Sequence, residues 1–219
     1  MHYSHEQSMI QQKAYEPGCL HGVRKQFAGW RRVVDVLGAG FGLVILSPVL
    51  ALCVLWIKAM DRGPAIFVQW RVGKDGWLFA IYKLRTMYLN AEDPGKACFA
   101  SAGDKRVLPG CGWMRKSHVD ELPQLWNILK GEMSLVGPRP ERPEVMEDLR
   151  SVLPEFGWRL AVEPGLTGLA QLTLGYANDA GGARRKLARD LKYLRDRSWW
   201  GDMKLVFKTF GKLWDRSAL

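Results

Sequence analysis

The sequence predicts an α+β, mainly helical protein associated with a membrane. Three observations carry that prediction. Residues 36–57 form a run of 22 without a charged side chain, residues 65–84 alternate like a hairpin, and the last quarter has amphipathic helical spacing. A length of 219 residues suits one domain, or one domain with an attached element. With 47% hydrophobic and 25% charged residues, the chain matches globular averages. Disordered, collagen-like, coiled-coil and disulfide-rich classes are excluded on the same grounds. Cys19, Cys53, Cys98 and Cys111 make no C-x-x-C pair and no zinc spacing, so they read as thiols of a reducing compartment. The net charge of +10 asks for an anionic partner: a nucleic acid, a phosphorylated metabolite or an acidic membrane surface. Ten tryptophans among so many cations favour the membrane interface, and the apolar run argues against nucleic acid.

Residues 1–28 are polar and read as a frayed tail, with a metal role for His2 and His5 as the competing reading. The run Val36–Ile57 follows; as a helix it rises about 33 Å, enough to cross a hydrocarbon core. Arg24, Lys25, Arg31 and Arg32 precede it and Lys58, Arg62, Arg71 and Lys74 follow, so the positive-inside rule selects neither end. At Ser47-Pro48 the proline removes an amide donor and crowds the Val44 carbonyl, which predicts a kink or break. A kinked spanning helix and a re-entrant helix that returns to its own side both satisfy these residues. Gly38 and Gly42 form a G-x-x-x-G that leaves pairing with a second copy open.

Beyond the apolar run, Ala65–Val72 and Trp77–Leu84 flank Gly73-Lys74-Asp75-Gly76 and predict a β-hairpin. Residues 90–112 read as loop or short helix. Pro123–Lys130 predicts a short helix stopped by Gly131, and Val136–Pro143, with three prolines, a stiff extended loop. Glu144–Leu153 and Ala183–Arg197 predict helices. Leu187, Leu191 and Leu194 form an apolar stripe opposite Arg184, Arg185, Lys186, Arg189, Lys192 and Arg195; Trp199, Trp200, Met203, Val206, Phe207, Phe210 and Trp214 continue the apolar side. Such helices either lie in a headgroup layer or pack on the protein's own core.

No G-x-S-x-G, P-loop or H-E-x-x-H occurs, and His118 is the only histidine outside the N-terminal tail, which leaves a serine triad without support. Chemistry concentrates at Asp120-Glu121. Ser117 with Asp120 fits an S-x-x-D helix cap. The same acids also suit an ionised nucleophile and a Mg²⁺ ligand, since Mg²⁺ takes one or two carboxylates plus substrate phosphates. Lys83, Arg85, Arg115 and Arg139 stand near turns or element ends rather than on solvated helix faces. Together with the acids and the proline-stiffened loop they point to a diphosphate site.

Three segments in order resemble the bacterial sugar transferase family, the monotopic phosphoglycosyl transferases. These are Tyr82-Lys83-Leu84-Arg85-Thr86-Met87, the stretch from Asp120 to Pro140, and Pro164-Gly165-Leu166-Thr167-Gly168-Leu169-Ala170-Gln171, with the likeness running from about Arg31 to the C-terminus. The resemblance implies transfer of a sugar-1-phosphate from a UDP-sugar to a polyprenyl phosphate, with Mg²⁺ as cofactor and membrane lipids, not nucleic acid, as surroundings. It implies Asp120 as the nucleophile of an aspartyl-phosphosugar intermediate and Glu121 as its partner at the metal. Arg115 and Arg139 match phosphate-contacting arginines, and Lys83 and Arg85 lie in the basic strand end beside them. It also selects the re-entrant helix-break-helix, broken at Ser47-Pro48, on the cytoplasmic face of a bacterial inner membrane. The expected organisation is thus a tail at 1–28, a membrane element at 29–62 and a catalytic domain at 63–219 ending in interfacial helices. Glu163 stands where the family often has a cation, Leu172–Asn178 replaces a familiar N-G-R-N, and His118-Val119 replaces a common Ser-Leu, all of which bear on the sugar. The chain lacks the family's extra spanning helices and reads as a minimal catalytic form. A non-enzymatic basic membrane-surface adaptor is the rival reading.

Overall fold

In the computed structural model, which describes residues 28–89, 91, 104–174 and 180–214, a 33-residue helix α1 (Ala28–Met60) comes first. The tail with its histidines and most of 90–103 lie outside the described residues. α1 continues through Pro48 as one element, so the expected break at Ser47-Pro48 is not an interruption of the helix. The reason is local. Pro48 leaves the Val44 carbonyl without its usual amide, and Ser47 Oγ donates to that carbonyl at 2.8 Å. One stripe of α1 faces the rest of the protein: Asp35, Ala39, Cys53 and Ile57 are buried, and Leu43 and Leu50 pack beside them. Leu37, Phe41, Val44, Ile45, Leu52 and Leu55 are exposed on the other sides. Gly38 and Gly42 belong to the inward stripe, where a Cβ would meet Leu135 and Leu125 at 2.9 and 3.1 Å. The G-x-x-x-G is therefore used within the chain.

Both ends of α1 grip the same body. Near the start, Arg31 pairs with Asp202 and donates to Tyr193 Oη at 2.8 Å, while the Leu135 amide donates to Asp35 at 2.8 Å. Near the end, Trp56 Nε1 donates to the Pro109 carbonyl at 3.2 Å, and Asp61, just past the helix, pairs with Arg85.

The hairpin forms as expected, with β1 (Ile66–Val72) antiparallel to β2 (Leu78–Leu84) and Gln69 opposite Ile81. Asp75 takes a left-handed conformation in its turn (φ 51°). α2 (Gly112–Lys116) and a 3-10 turn at Val119–Glu121 lead to α3 (Gln124–Lys130), which Gly131 ends at φ 88°. A parallel pair that the sequence did not announce follows: β3 (Ser134–Val136) with β4 (Gly165–Thr167). Between its strands lie α4 (Pro143–Val152) and a 3-10 stretch at Pro154–Ala161. α5 (Leu169–Thr173), α6 (Ala180–Asp196) and α7 (Trp199–Trp214) complete the chain.

The two C-terminal helices differ in what they bury. Leu187 and Leu191 of α6 join a core with Met146 and Phe156, and Leu194 joins another with Val136 and Leu205. The apolar stripe of α6 is thus spent on the protein's own core, which corrects the expectation of an interfacial helix there. α7 buries Leu205 but exposes Trp200, Phe207 and Phe210. Cys53 and Cys111 are free thiols buried in one cluster.

Asn127 ties α3 to the hairpin. Its Oδ1 accepts from the Tyr82 amide at 3.1 Å and its Nδ2 donates to the Ala80 carbonyl at 2.7 Å, so one side chain pairs the open edge of β2. Asn127→Ala is expected to strand both backbone groups and to cost about 2–4 kcal/mol, read as a lowered denaturation midpoint.

Candidate active site

Three segments converge on the acid pair. The 3-10 turn presents Asp120 and Glu121, β2 supplies Lys83, and the loop after β3 supplies Arg139. Glu121 is 8% exposed. Lys83 Nζ donates to its Oε1 at 2.8 Å, and Arg139 forks across both oxygens, with Nη1 on Oε2 at 3.1 Å and Nη2 on Oε1. Burial opposes ionisation of Glu121, but Arg139 and Lys83 outweigh it and hold its pKa well below the usual carboxylate range. Burial also pulls the Lys83 ammonium down, with Glu121 acting against it.

Asp120 is in a different state. Its Oδ1 is buried without a protein partner. Burial first, and then the neighbouring Glu121 charge, push its pKa up to about 6, against the attraction of Lys83, Arg115 and Arg139. Adjacent carboxylates thus divide their roles: one is neutralised by two cations, the other is half-buried with an oxygen that no protein group pairs. The S-x-x-D cap does not form, because Ser117 Oγ turns back to the Trp113 carbonyl at 2.8 Å. His118, exposed and at φ 55°, bends the chain so that the acids follow directly on the end of α2.

Of the four expected cations, Lys83, Arg139 and Arg115 act on the acids; Arg115 also donates to Thr86 Oγ1 at 3.3 Å. Arg85 is not brought to them. It is 4% exposed, with its guanidinium on Asp61 and on the Pro64 carbonyl. Arg85 therefore anchors the chain just beyond α1. The cation that sequence reasoning passed over is Arg71, read there only as a flank charge. Strand alternation puts Gln69, Arg71 and Lys83 on one face of the hairpin, a signal available in the register. Arg71 donates to Pro140 O at 3.2 Å and to Gln69 Oε1 at 2.6 Å. Burial, reinforced by Arg139, lowers its pKa to about 10.

Backbone-to-backbone contact fixes the loop that carries Arg139. The Gly137 amide donates to Thr167 O at 2.9 Å, Gly165 N–H to Pro138 O at 2.9 Å, and Val72 N–H to Glu141 O at 3.0 Å. A Cβ on Gly165 would lie 2.0 Å from Gly137 N, and one on Gly168 would lie 2.2 Å from Gly137 O. The glycines of Pro164–Gly168 are thus where two backbones touch. Glu163 lies on this rim, bound to Lys74 at 2.8 Å.

Among the described residues no group of three or more His, Cys, Asp or Glu could hold a metal unaided. A Mg²⁺ held largely by substrate phosphates needs only one or two carboxylates, and the unpartnered Asp120 Oδ1 fits that demand.

Comparison with known proteins identifies the family. The model of the family described as "Bacterial sugar transferase" matches residues 25–216. The chain is 42% identical over 183 residues to a UDP-N-acetylgalactosamine-undecaprenyl-phosphate N-acetylgalactosaminephosphotransferase of Aeromonas hydrophila, covering 84% of this chain and 43% of that protein. It is 40% identical over 185 residues to a UDP-glucose:undecaprenyl-phosphate glucose-1-phosphate transferase of Caulobacter vibrioides, covering 84% and 69%. To an undecaprenyl-phosphate glucose phosphotransferase of Komagataeibacter xylinus it is 37% identical over 205 residues, covering 89% and 38%. The chain thus spans less than half of the first and third of these relatives. With the acid pair, the Arg139 loop and the Pro164–Gly168 contact all inside the matched range, the chain belongs to the bacterial sugar transferase family.

Proposed function

We propose that this protein transfers a sugar-1-phosphate from a UDP-sugar to a polyprenyl phosphate such as undecaprenyl phosphate, and so starts a polysaccharide or glycoconjugate. The observation that carries the reading is the split acid pair: Asp120 half-buried with an unpaired oxygen, Glu121 neutralised by Lys83 and Arg139. The relatives' names supply the substrate class.

In this reading an Asp120 oxygen attacks the β-phosphorus of the donor, the bond from that phosphorus to the bridging oxygen breaks, and UMP leaves. An oxygen of the polyprenyl phosphate then attacks the same phosphorus, giving the polyprenyl-diphosphate-sugar and restoring the carboxylate. Two steps let two anionic substrates approach in turn. Arg139 and Lys83, held beside the phosphorus by Glu121, offset charge on the transferring group, and Arg115 faces Asp120 from α2. Asp120, with Glu121 beside it, would hold Mg²⁺, which would supply further neutralisation of the diphosphate.

The membrane topology belongs to the same proposal. α1 contains the one segment among the described residues that is long and apolar enough to cross a bilayer, Gly29–Met60, and little of it is buried. Both of its ends hold the same domain, whereas the ends of a spanning helix face opposite sides. We therefore read α1 as monotopic, bent at Ser47-Pro48 so that it enters and leaves on the cytoplasmic face, with α7's Trp200, Phe207 and Phe210 beside it in the interface. A donor screen tests the activity. Multiple-turnover UMP release from a UDP-hexose or UDP-N-acetylhexosamine, dependent on added polyprenyl phosphate, is expected. Liposome binding without nucleotide release from any UDP-sugar would favour the adaptor instead.

A further inference from the structure

We infer that Arg159 is a positioning residue for the transfer: it acts through Arg139, whose main chain it fixes. The inference rests on the reading just proposed. Arg159 sits in the 3-10 stretch Pro154–Ala161 and is 2% exposed. Its Nη2 donates to the Arg139 carbonyl at 2.7 Å, its Nη1 to Glu141 Oε1 at 3.2 Å, and its Nε to Asp190 Oδ2 at 2.9 Å. Lys186 pairs with the same Glu141 oxygen, so two cations meet two carboxylates in the interior. Burial opposes the Glu141 charge, but Lys186 and Arg159 overcome it and hold its pKa at about 2.

Stability alone does not account for this arrangement, because a buried ion network is seldom better than apolar packing of the same volume. An apolar side chain could not bond the Arg139 carbonyl. With Arg159 in place, four successive carbonyls are each claimed from a different direction: Pro138 by Gly165, Arg139 by Arg159, Pro140 by Arg71 and Glu141 by Val72. Holding the carbonyl at residue 139 sets the backbone there, and with it the line along which the Arg139 side chain leaves for Glu121. Asp190, on α6, anchors Arg159 from behind. The chain thus links α6 to Arg139 through one guanidinium.

A double-mutant cycle on kcat/KM separates this role from a merely structural one. Arg159→Lys keeps a cation between the acids but cannot reach three acceptors at once. It is expected to lower kcat/KM about 10–100-fold, the scale on which small misplacements act. In an Arg139→Ala background, followed with radiolabelled donor, the same change is expected to cost less than about 3-fold. Asp190→Asn, which keeps the guanidinium and weakens its anchor, is expected to show the same pattern and decides the matter should Arg159→Lys not fold. Equal fold losses in both backgrounds, or no loss in either, overturn the inference. A native enzyme that releases no UMP from any donor defeats the transfer reading instead, and the two failures are told apart by that control.

Discussion

Asp120→Asn is expected to make the protein more stable at neutral pH while removing transfer. The folded protein holds the Asp120 carboxyl at about 6 against an ordinary 3.8, by burial and by the Glu121 charge, so folding penalises the ionised form. The sign follows from linkage. Well below pH 3.8 the group is protonated in both states and costs nothing; as pH rises from 3.8 through about 6 the unfolded state ionises first, and stability is lost until the folded state carries the charge too. The full shift corresponds to about 3 kcal/mol, and partial exposure of the side chain reduces the expected gain from Asn to about 1–2 kcal/mol. Denaturation at pH 7.5, without substrates and with EDTA, should show that gain, and at pH 4 it should shrink toward zero. Transfer should fall on the order of 10⁴-fold or more, because the amide is no nucleophile. An Asn variant less stable than the native protein at pH 7.5 would contradict the account of the acid pair.

Gly165→Ala should cost about 4 kcal/mol or more and leave little folded protein. A methyl there would sit 2.0 Å from Gly137 N, 2.5 Å from Gly137 Cα and 2.5 Å from Thr167 O. All are main-chain atoms, so no side chain can turn away to make room. The parallel pairing of β3 with β4 would open, and with it the seat of the Arg139 loop. Gly40→Ala is the control: nothing lies within 4 Å of its added carbon, and in α1 it should be neutral or stabilising by up to about 1 kcal/mol. Melting curves of the two variants should therefore separate widely. Similar melting temperatures would mean that the two backbones do not touch as described.

Much of this architecture could be read from residue patterns, and the exceptions have identifiable causes. The hairpin and the Gly131 stop follow from alternation and turn chemistry, which are local. Glu121, Lys83 and Arg139, named from their place near turns together with the family resemblance, do meet in the structure. The β3–β4 pair could not be read in this way, since each strand is three residues long and the partners are separated by α4. Arg85 misled because a cation beside a site and a cation bound to Asp61 look alike in one dimension. At Pro48, where the sequence predicts a kink or a break, the element continues as one helix and the Ser47 hydroxyl takes the carbonyl that proline leaves bare. Arg159 had no local signature at all, because its partners come from residues 139, 141 and 190.

The most direct measurement is the intact mass of protein quenched after incubation with an accepted UDP-sugar and no polyprenyl phosphate. Growth by the mass of one phosphosugar, mapped by fragmentation to Asp120 and discharged when the lipid phosphate is added, is the result expected here. Unmodified protein under conditions where the complete system turns over rapidly, or an adduct on another residue, would contradict it.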